Sequence, residues 1–337
     1  MIEIGLQTLF LAAGFILLVK GADWFVDGAA GLAEKFRIPQ LVIGLTIVAM
    51  GTSMPEAAVS ISAAMKGNAD ITIGNVMGSN ILNILIILGL SAAITPLAVE
   101  TSTIWRDLPF LILVTALLFI LGLDGIIGTA DGTVLLLLFT VYLAGLLIMT
   151  KLRQNTAVVH LTSPRPLQQA LQAPPPAAET TDGEASGSQG QKSWPLLLLL
   201  TAAGLSMIVA GSSVTVEAAS SLARIFGISE RFIGLTIVAL GTSLPELFTS
   251  VTAARKRNAD IAIGNVVGSN IFNLLFVTGA SALVMPVPYK AAFLSDNLIS
   301  GAASLMLLFC SLRERKLLRR HGTLMLLGYA VYFVTLL

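Results

Sequence analysis

Gly44-Leu-Thr-Ile-Val-Ala-Met-Gly-Thr-Ser-Met-Pro-Glu56 and Gly234-Leu-Thr-Ile-Val-Ala-Leu-Gly-Thr-Ser-Leu-Pro-Glu246 are one motif written twice. They open the stretches 44–92 and 234–282, which align at a constant offset of 190 without a gap and are identical at 32 of 49 positions. Each copy sets one glutamate, Glu56 or Glu246, within an apolar run. A carboxylate at membrane depth is costly to place, so each marks a functional site. The likeness extends upstream, where 21–36 matches 211–226 at the same offset and Asp27 falls in register with Glu217.

The surroundings of the motif are those of a membrane protein. Charged residues make up 12% of the chain and apolar residues 55%, with a mean hydropathy of +0.87. A soluble domain carries about 25% charged residues. A net charge of +1 leaves no basic footprint for nucleic acid. The single cysteine, Cys310, excludes an internal disulfide and reads as a small packed hydrophobe. Residues 6–19 lack a preceding basic region and a small-residue cleavage site, so they read as the start of a retained span rather than a removed signal.

A span takes about 20 apolar residues. Ten such runs are expected: 6–32, 39–65, 71–93, 108–123, 133–150, 195–226, 231–254, 261–284, 292–312 and 323–337. The fold class is therefore an all-α membrane protein. Its first half covers 1–150 around the repeat 44–92, and its second covers 194–337 around the repeat 234–282. Between them 151–193 holds Pro164, Pro166, Pro174, Pro175 and Pro176 with Gly183, Gly187 and Gly190. Such a composition cannot bury enough apolar surface to offset the entropy of ordering, and a disordered linker is expected. Its acids Glu179, Asp182 and Glu184 lack the spacing and glycine of a calcium loop and read as solvated.

Five spans is an odd number, so the second half must enter the membrane inverted relative to the first. Inverted repeats of this kind build secondary transporters with a site at the midplane between them. The basic residues test this independently. With the linker cytoplasmic and the spans alternating, 15 lysines and arginines fall inside and four fall outside, namely Lys66, Arg224, Arg231 and Lys290. That bias is the expected one for a multi-pass protein, and it places both termini outside.

Within the second span Ala49, Thr52, Ser53 and Glu56 recur at three- and four-residue spacing and share a helical face. Pro55 removes a backbone donor and clashes with the Gly51 carbonyl, so the helix should open beside that face. The second copy repeats the set as Ala239, Thr242, Ser243, Glu246 and Pro245. In the third span Asn75, Ser79 and Asn83 form a stripe four residues apart, with Gly74 and Gly78 allowing a close helix approach. The eighth span repeats this as Asn265, Ser269, Asn273, Gly264 and Gly268. All these donors are hard oxygens, which suit calcium and offer nothing soft for zinc or copper. Two carboxylates offset a divalent charge and would equally hold monovalent ions or protons. Met50, Met54 and Met77 become Leu240, Leu244 and Val267 in the second copy, so they read as packing rather than ligation.

Gly-Thr-Ser-x-Pro-Glu followed by Gly-Asn-x-x-Gly-Ser-Asn-Ile-x-Asn, twice, resembles the α-repeats of the sodium/calcium exchangers of the cation/calcium antiporter superfamily. The resemblance implies ten transmembrane helices as two inverted-topology five-helix repeats. It implies antiport of calcium against sodium by alternating access, with calcium and sodium ions and the lipid bilayer as partners. It implies no enzymatic activity and no cofactor. It also implies an integral protein of a prokaryotic cell (inner) membrane. The ion ligands it implies are the side chains of Thr52, Ser53, Glu56, Ser79, Asn83, Thr242, Ser243, Glu246, Ser269 and Asn273, with backbone carbonyls of Ala49 and Ala239. Relatives often carry aspartate at the position of Asn273, which leaves proton or potassium coupling as the alternative. A channel would need a continuous pore, which a buried glutamate pair suits poorly. An intramembrane protease would need a histidine to activate a serine, and His160 and His321 lie outside the apolar runs.

Overall fold

The computed structural model describes residues 2–162, 193–228 and 239–336. The expected linker and the first residues of the seventh expected span, 231–238, lie largely outside them. The described chain is almost wholly helical. In order, the helices are α1 (Ile2–Lys35), α2 (Gln40–Thr52), α3 (Met54–Met65), α4 (Ile71–Ile94), α5 (Thr103–Asp124) and α6 (Thr129–Thr162). The second half builds α7 (Trp194–Ile225), α8 (Ala239–Thr242), α9 (Leu244–Arg255), α10 (Ala259–Val284), α11 (Ala291–Leu312) and α12 (Arg319–Leu336).

Among the described residues seven helices are long and apolar enough to cross a membrane, or eight if the bent pair α2 and α3 forms one span. The expected tenth span is present as α12, but it opens with Arg319, Arg320 and His321 and is not among those seven. The fifth expected span ends at 150, whereas α6 runs on to Thr162. The exposed surfaces of the outer helices are apolar, with Leu113, Leu137, Val141 and Phe309 each at least 60% exposed, as lipid-facing side chains should be.

α4 and α10 form the centre. The most apolar window of α10 is 94% buried and that of α4 is 72% buried, against 22–39% for the other five single helices. Close approach makes that possible. A Cβ at Gly268 of α10 would stand 2.7 Å from Leu45 O and from Ala49 Cβ of α2, so only glycine fits there. The partners that the repeat implies for Gly74, and for Gly78 all but Ala239, lie at 231–238, outside the described residues.

α1 and α7 form a second tight pair. Gly14 lies against Gly211, Gly21 against Gly204 and Gly28 against Thr201, so these two corresponding helices run antiparallel. Two short ribbons stitch the halves together. β1 (Leu97–Ala98) pairs antiparallel with β4 (Lys316–Leu317), and β2 (Ile126–Ile127) pairs with β3 (Val287–Pro288). By the offset of 190, β1 corresponds to β3 and β2 to β4, so each half gives one strand to each ribbon.

Six described residues adopt positive φ: Arg37 (54°), Gly67 (81°), Gly125 (88°), Gly227 (76°), Arg257 (61°) and Arg315 (50°). They are three repeat pairs, 37 with 227, 67 with 257 and 125 with 315, and each pair holds one glycine and one arginine. The left-handed geometry belongs to the turn, where glycine adopts it without the Cβ clash. Arginine accepts that clash at three of the six positions.

Candidate functional site

The break that sets up the site lies between α2 and α3, which meet at 47°. Pro55 brings no N–H to the Gly51 carbonyl, and the helix restarts at Met54 with proline in its first turn. Ser53 sits at the joint with φ −85° and ψ 7°. Ser243 repeats the geometry, φ −90° and ψ 5°, ahead of Pro245 in α9. Each break turns a hydroxyl and, three residues on, a glutamate toward the centre.

The two halves then cross. Ser53 Oγ donates to Glu246 Oε1 at 2.7 Å, and Ser243 Oγ donates to Glu56 Oε1 at 3.1 Å. Ser243 Oγ also lies 3.5 Å from Ser79 Oγ. Ser269 Oγ donates to the Ala49 carbonyl at 3.4 Å, and Thr52 Oγ1 lies 3.0 Å from Asn265 Oδ1. Thr242 reaches Glu56, while Thr52 and Ser269 reach Glu246. Glu56, Glu246, Asn83 and Asn273 are each 1% exposed. Of the twelve sequence-derived positions, nine are joined by these contacts, and Asn83 and Asn273 are buried beside them on α4 and α10. Ala239 begins α8, three residues before Thr242.

Two asparagines hold the scaffold behind the glutamates. Asn75 Nδ2 donates to Glu56 O and Ser60 Oγ at 3.2 and 3.0 Å, and Asn265 Nδ2 donates to Glu246 O and Ser250 Oγ at 3.3 and 2.8 Å. Asn83 and Asn273 each start a π-helical turn, Asn83–Leu88 and Asn273–Val277. Such single wide turns often sit at functional positions.

Four buried side-chain oxygens at this centre have no hydrogen-bond partner: Glu56 Oε2, Glu246 Oε2, Asn83 Oδ1 and Asn273 Oδ1. They are two repeat pairs. A buried acceptor without a donor costs roughly 1–3 kcal/mol, more when charged, and a bound cation would relieve all four. Among the described residues there is no cluster of three His, Cys, Asp or Glu side chains. The site is therefore two carboxylates among neutral oxygens, a set for hard cations.

The model of the sodium/calcium exchanger protein family matches residues 6–148 and 196–337. The chain belongs to the sodium/calcium exchanger family. It is thus similar to membrane antiporters, and calcium and sodium are the substrates the family implies. Sodium/calcium exchanger MaX1 of Methanosarcina acetivorans is 32% identical over 358 aligned residues, covering 99% of both chains. Inner membrane protein YrbG of Escherichia coli is 34% identical, covering 98% of this chain and 97% of that one. The solved structure of the sodium-calcium exchanger NCX_Mj soaked without Na+ and Ca2+ superposes with a TM-score of 0.81 at 30% identity, covering 99% of this chain and 100% of that one.

A crevice of about 520 Å³ has Thr242, at one flank of the glutamate pair, in its lining. It runs between α7, through Ser213, Val216 and Glu217, and the α3 residues Met54, Pro55 and Val59, and it ends at Thr242. Met54, expected as packing, is 55% exposed in this crevice, while Met77 is fully buried. On the corresponding flank Lys256 ties α1 to the end of α9. Its Nζ lies 2.8 Å from Asp27 Oδ1 and 3.2 Å from Asp23 Oδ1, and donates to Asp23 O at 2.9 Å.

Proposed function

We propose that the protein is a secondary active antiporter that exchanges calcium for sodium by alternating access at a midplane site between two inverted five-helix repeats. The observation that carries this reading is the set of four buried oxygens without donors, two from each repeat, on Glu56, Glu246, Asn83 and Asn273. Two ionised glutamates carry a charge of about −2, which one calcium ion balances. The hydroxyls of Thr52, Ser53, Thr242, Ser243, Ser79 and Ser269, with the carbonyls of Ala49 and Ala239, complete an oxygen shell that sodium shares. Without an ion the two charges would repel across a low-dielectric core, so the empty site resists crossing the membrane and exchange is obligatory.

The antiparallel pairing of α1 with α7 supports the inverted arrangement, and α12 supplies the helix expected as the tenth span. Access alternates as α1 and α7 shift together against α4 and α10. The crevice along α7 opens one face while Lys256 clamps α1 to the end of α9 at the other. The glycine–arginine pairs support sidedness, because all three left-handed arginines lie on the face assigned to the cytoplasm. Lys256 is assigned to that face too.

The test is calcium uptake into vesicles loaded in turn with sodium, potassium or choline, at fixed pH and with an imposed pH gradient. Uptake driven by the outward sodium gradient alone is expected. Uptake that needs potassium, or that follows the proton gradient without sodium, would replace sodium as the coupling ion.

A further inference from the structure

Asn80 and Asn270 belong to neither expected ligand set, yet they lie at the centre of the molecule with no exposure. Asn80 Nδ2 donates to Asn270 O at 3.4 Å, and Asn270 Nδ2 donates to Asn80 O at 3.2 Å. This reciprocal pair ties α4 to α10 across the repeat axis. Each also accepts from an asparagine of the opposite half. Asn83 Nδ2 donates to Asn270 Oδ1 at 2.9 Å, and Asn273 Nδ2 donates to Asn80 Oδ1 at 3.3 Å.

A primary amide has a donor end and an acceptor end of nearly equal size. A cation tolerates only the acceptor end. With its nitrogen engaged by Asn270, Asn83 is left with Oδ1 free, and the same holds for Asn273 through Asn80. We propose that Asn80 and Asn270 are positioning residues that fix the amide orientation of the opposite repeat's ion ligand, Asn80 that of Asn273 and Asn270 that of Asn83. This rests on the reading of Asn83 and Asn273 as ligands. Each half thereby sets the ion selectivity of the other, because loss of either acceptor lets an N–H turn into the site.

The test is a set of double-mutant cycles on the apparent KM for calcium in reconstituted full-length protein. Asn80→Ala should raise KM about tenfold, the loss of one charge-assisted contact. It should add almost nothing in an Asn273→Ala background and much more to Asn83→Ala, because a direct bond couples it to Asn273 while only Asn270 links it to Asn83. Asn270→Ala should show the opposite partnership. A general packing defect would not choose its partner across the repeat. Asn80→Asp, close to asparagine in size, keeps an acceptor facing Asn273 and, as the neutral acid, a donor for Asn270 O. It should raise KM less than Asn80→Ala, and it decides the matter if the alanine variant fails to insert. Equal coupling of Asn80 to both ligands, or equal losses in Asn80→Asp and Asn80→Ala, would overturn the inference. A parent protein that transports no calcium would overturn the ligand reading and this inference with it. Calcium transport with additive losses would overturn the inference alone.

Discussion

Asn273 gives its amide hydrogen to Asn80 Oδ1, so whatever stands at position 273 must supply a proton to that bond. Asn273→Asp can do so only as the protonated acid. When it ionises, the bond is lost, a third negative charge enters the site, and divalent binding tightens. The apparent calcium affinity of this variant should therefore rise from neutral to alkaline pH relative to the parent, measured as uptake against calcium concentration across that range. Parallel pH profiles for the two proteins would show that position 273 does not share the ion site. Much of this residue-level design was legible in the sequence. Glu56, Glu246, Ser53, Ser243, Asn83 and Asn273 stand at helical spacing within a repeat, and duplication made their partnership visible. The pairing itself was not. That Ser53 donates to Glu246 rather than to its own Glu56 depends on how the halves interlock, which no spacing within one half encodes. Asn80 and Asn270 were missed because they sit one residue beyond the stripe Asn75, Ser79, Asn83. The signal that could have found them is a buried-type amide kept at the same register in both copies.

The helix break at Ser53 depends on Pro55, and the approach of α10 to α2 depends on Gly268. In Gly268→Ala the new Cβ would meet Leu45 O at 2.7 Å, a backbone atom that cannot rotate away. Overpacking of this kind costs about 1–3 kcal/mol. The variant should show a lower Tm in detergent and reduced calcium flux. Gly145→Ala in α6, where nothing lies within 4 Å, should show neither. Equal behaviour of the two variants would contradict the packing assigned to α10. Hydropathy located these elements well, because lipid demands long apolar helices and the outer helices supply them. It was least informative for α12, whose basic opening turn dilutes the apolar run, and for the end of α6, where helix persists into a polar stretch. The π-helical turns at Asn83 and Asn273 left no trace in periodicity, since the residues of both turns after the asparagine are all apolar and show no polar face whose phase could shift.

At the scale of the molecule, three arginines occupy left-handed turns whose repeat partners are glycines, which makes charge placement worth a backbone penalty of roughly 1–2 kcal/mol each. The expected consequence is an external C-terminus. A phosphatase fused after Leu337 should be active only outside the cytoplasm, while a fluorescent protein fused there should stay dark, and a bright fusion would reverse the orientation. The clamp gives a second expectation. Lys256→Met releases Asp23 and Asp27, so the state in which the crevice along α7 stands open should be less populated. In a Cys310→Ser background, a cysteine placed at Val209 in that crevice should then react more slowly with a polar thiol reagent. An unchanged rate would remove Lys256 from gating. The central claim is that one calcium ion is held and carried between Glu56 and Glu246. Calcium–calcium exchange across vesicles tests it most directly, because it needs no coupling ion. Vesicles loaded with unlabelled calcium should take up labelled calcium through the parent protein. They should take up none through Glu56→Gln or Glu246→Gln, although both variants insert and purify as the parent does. Exchange at the parental rate in either variant would contradict the account.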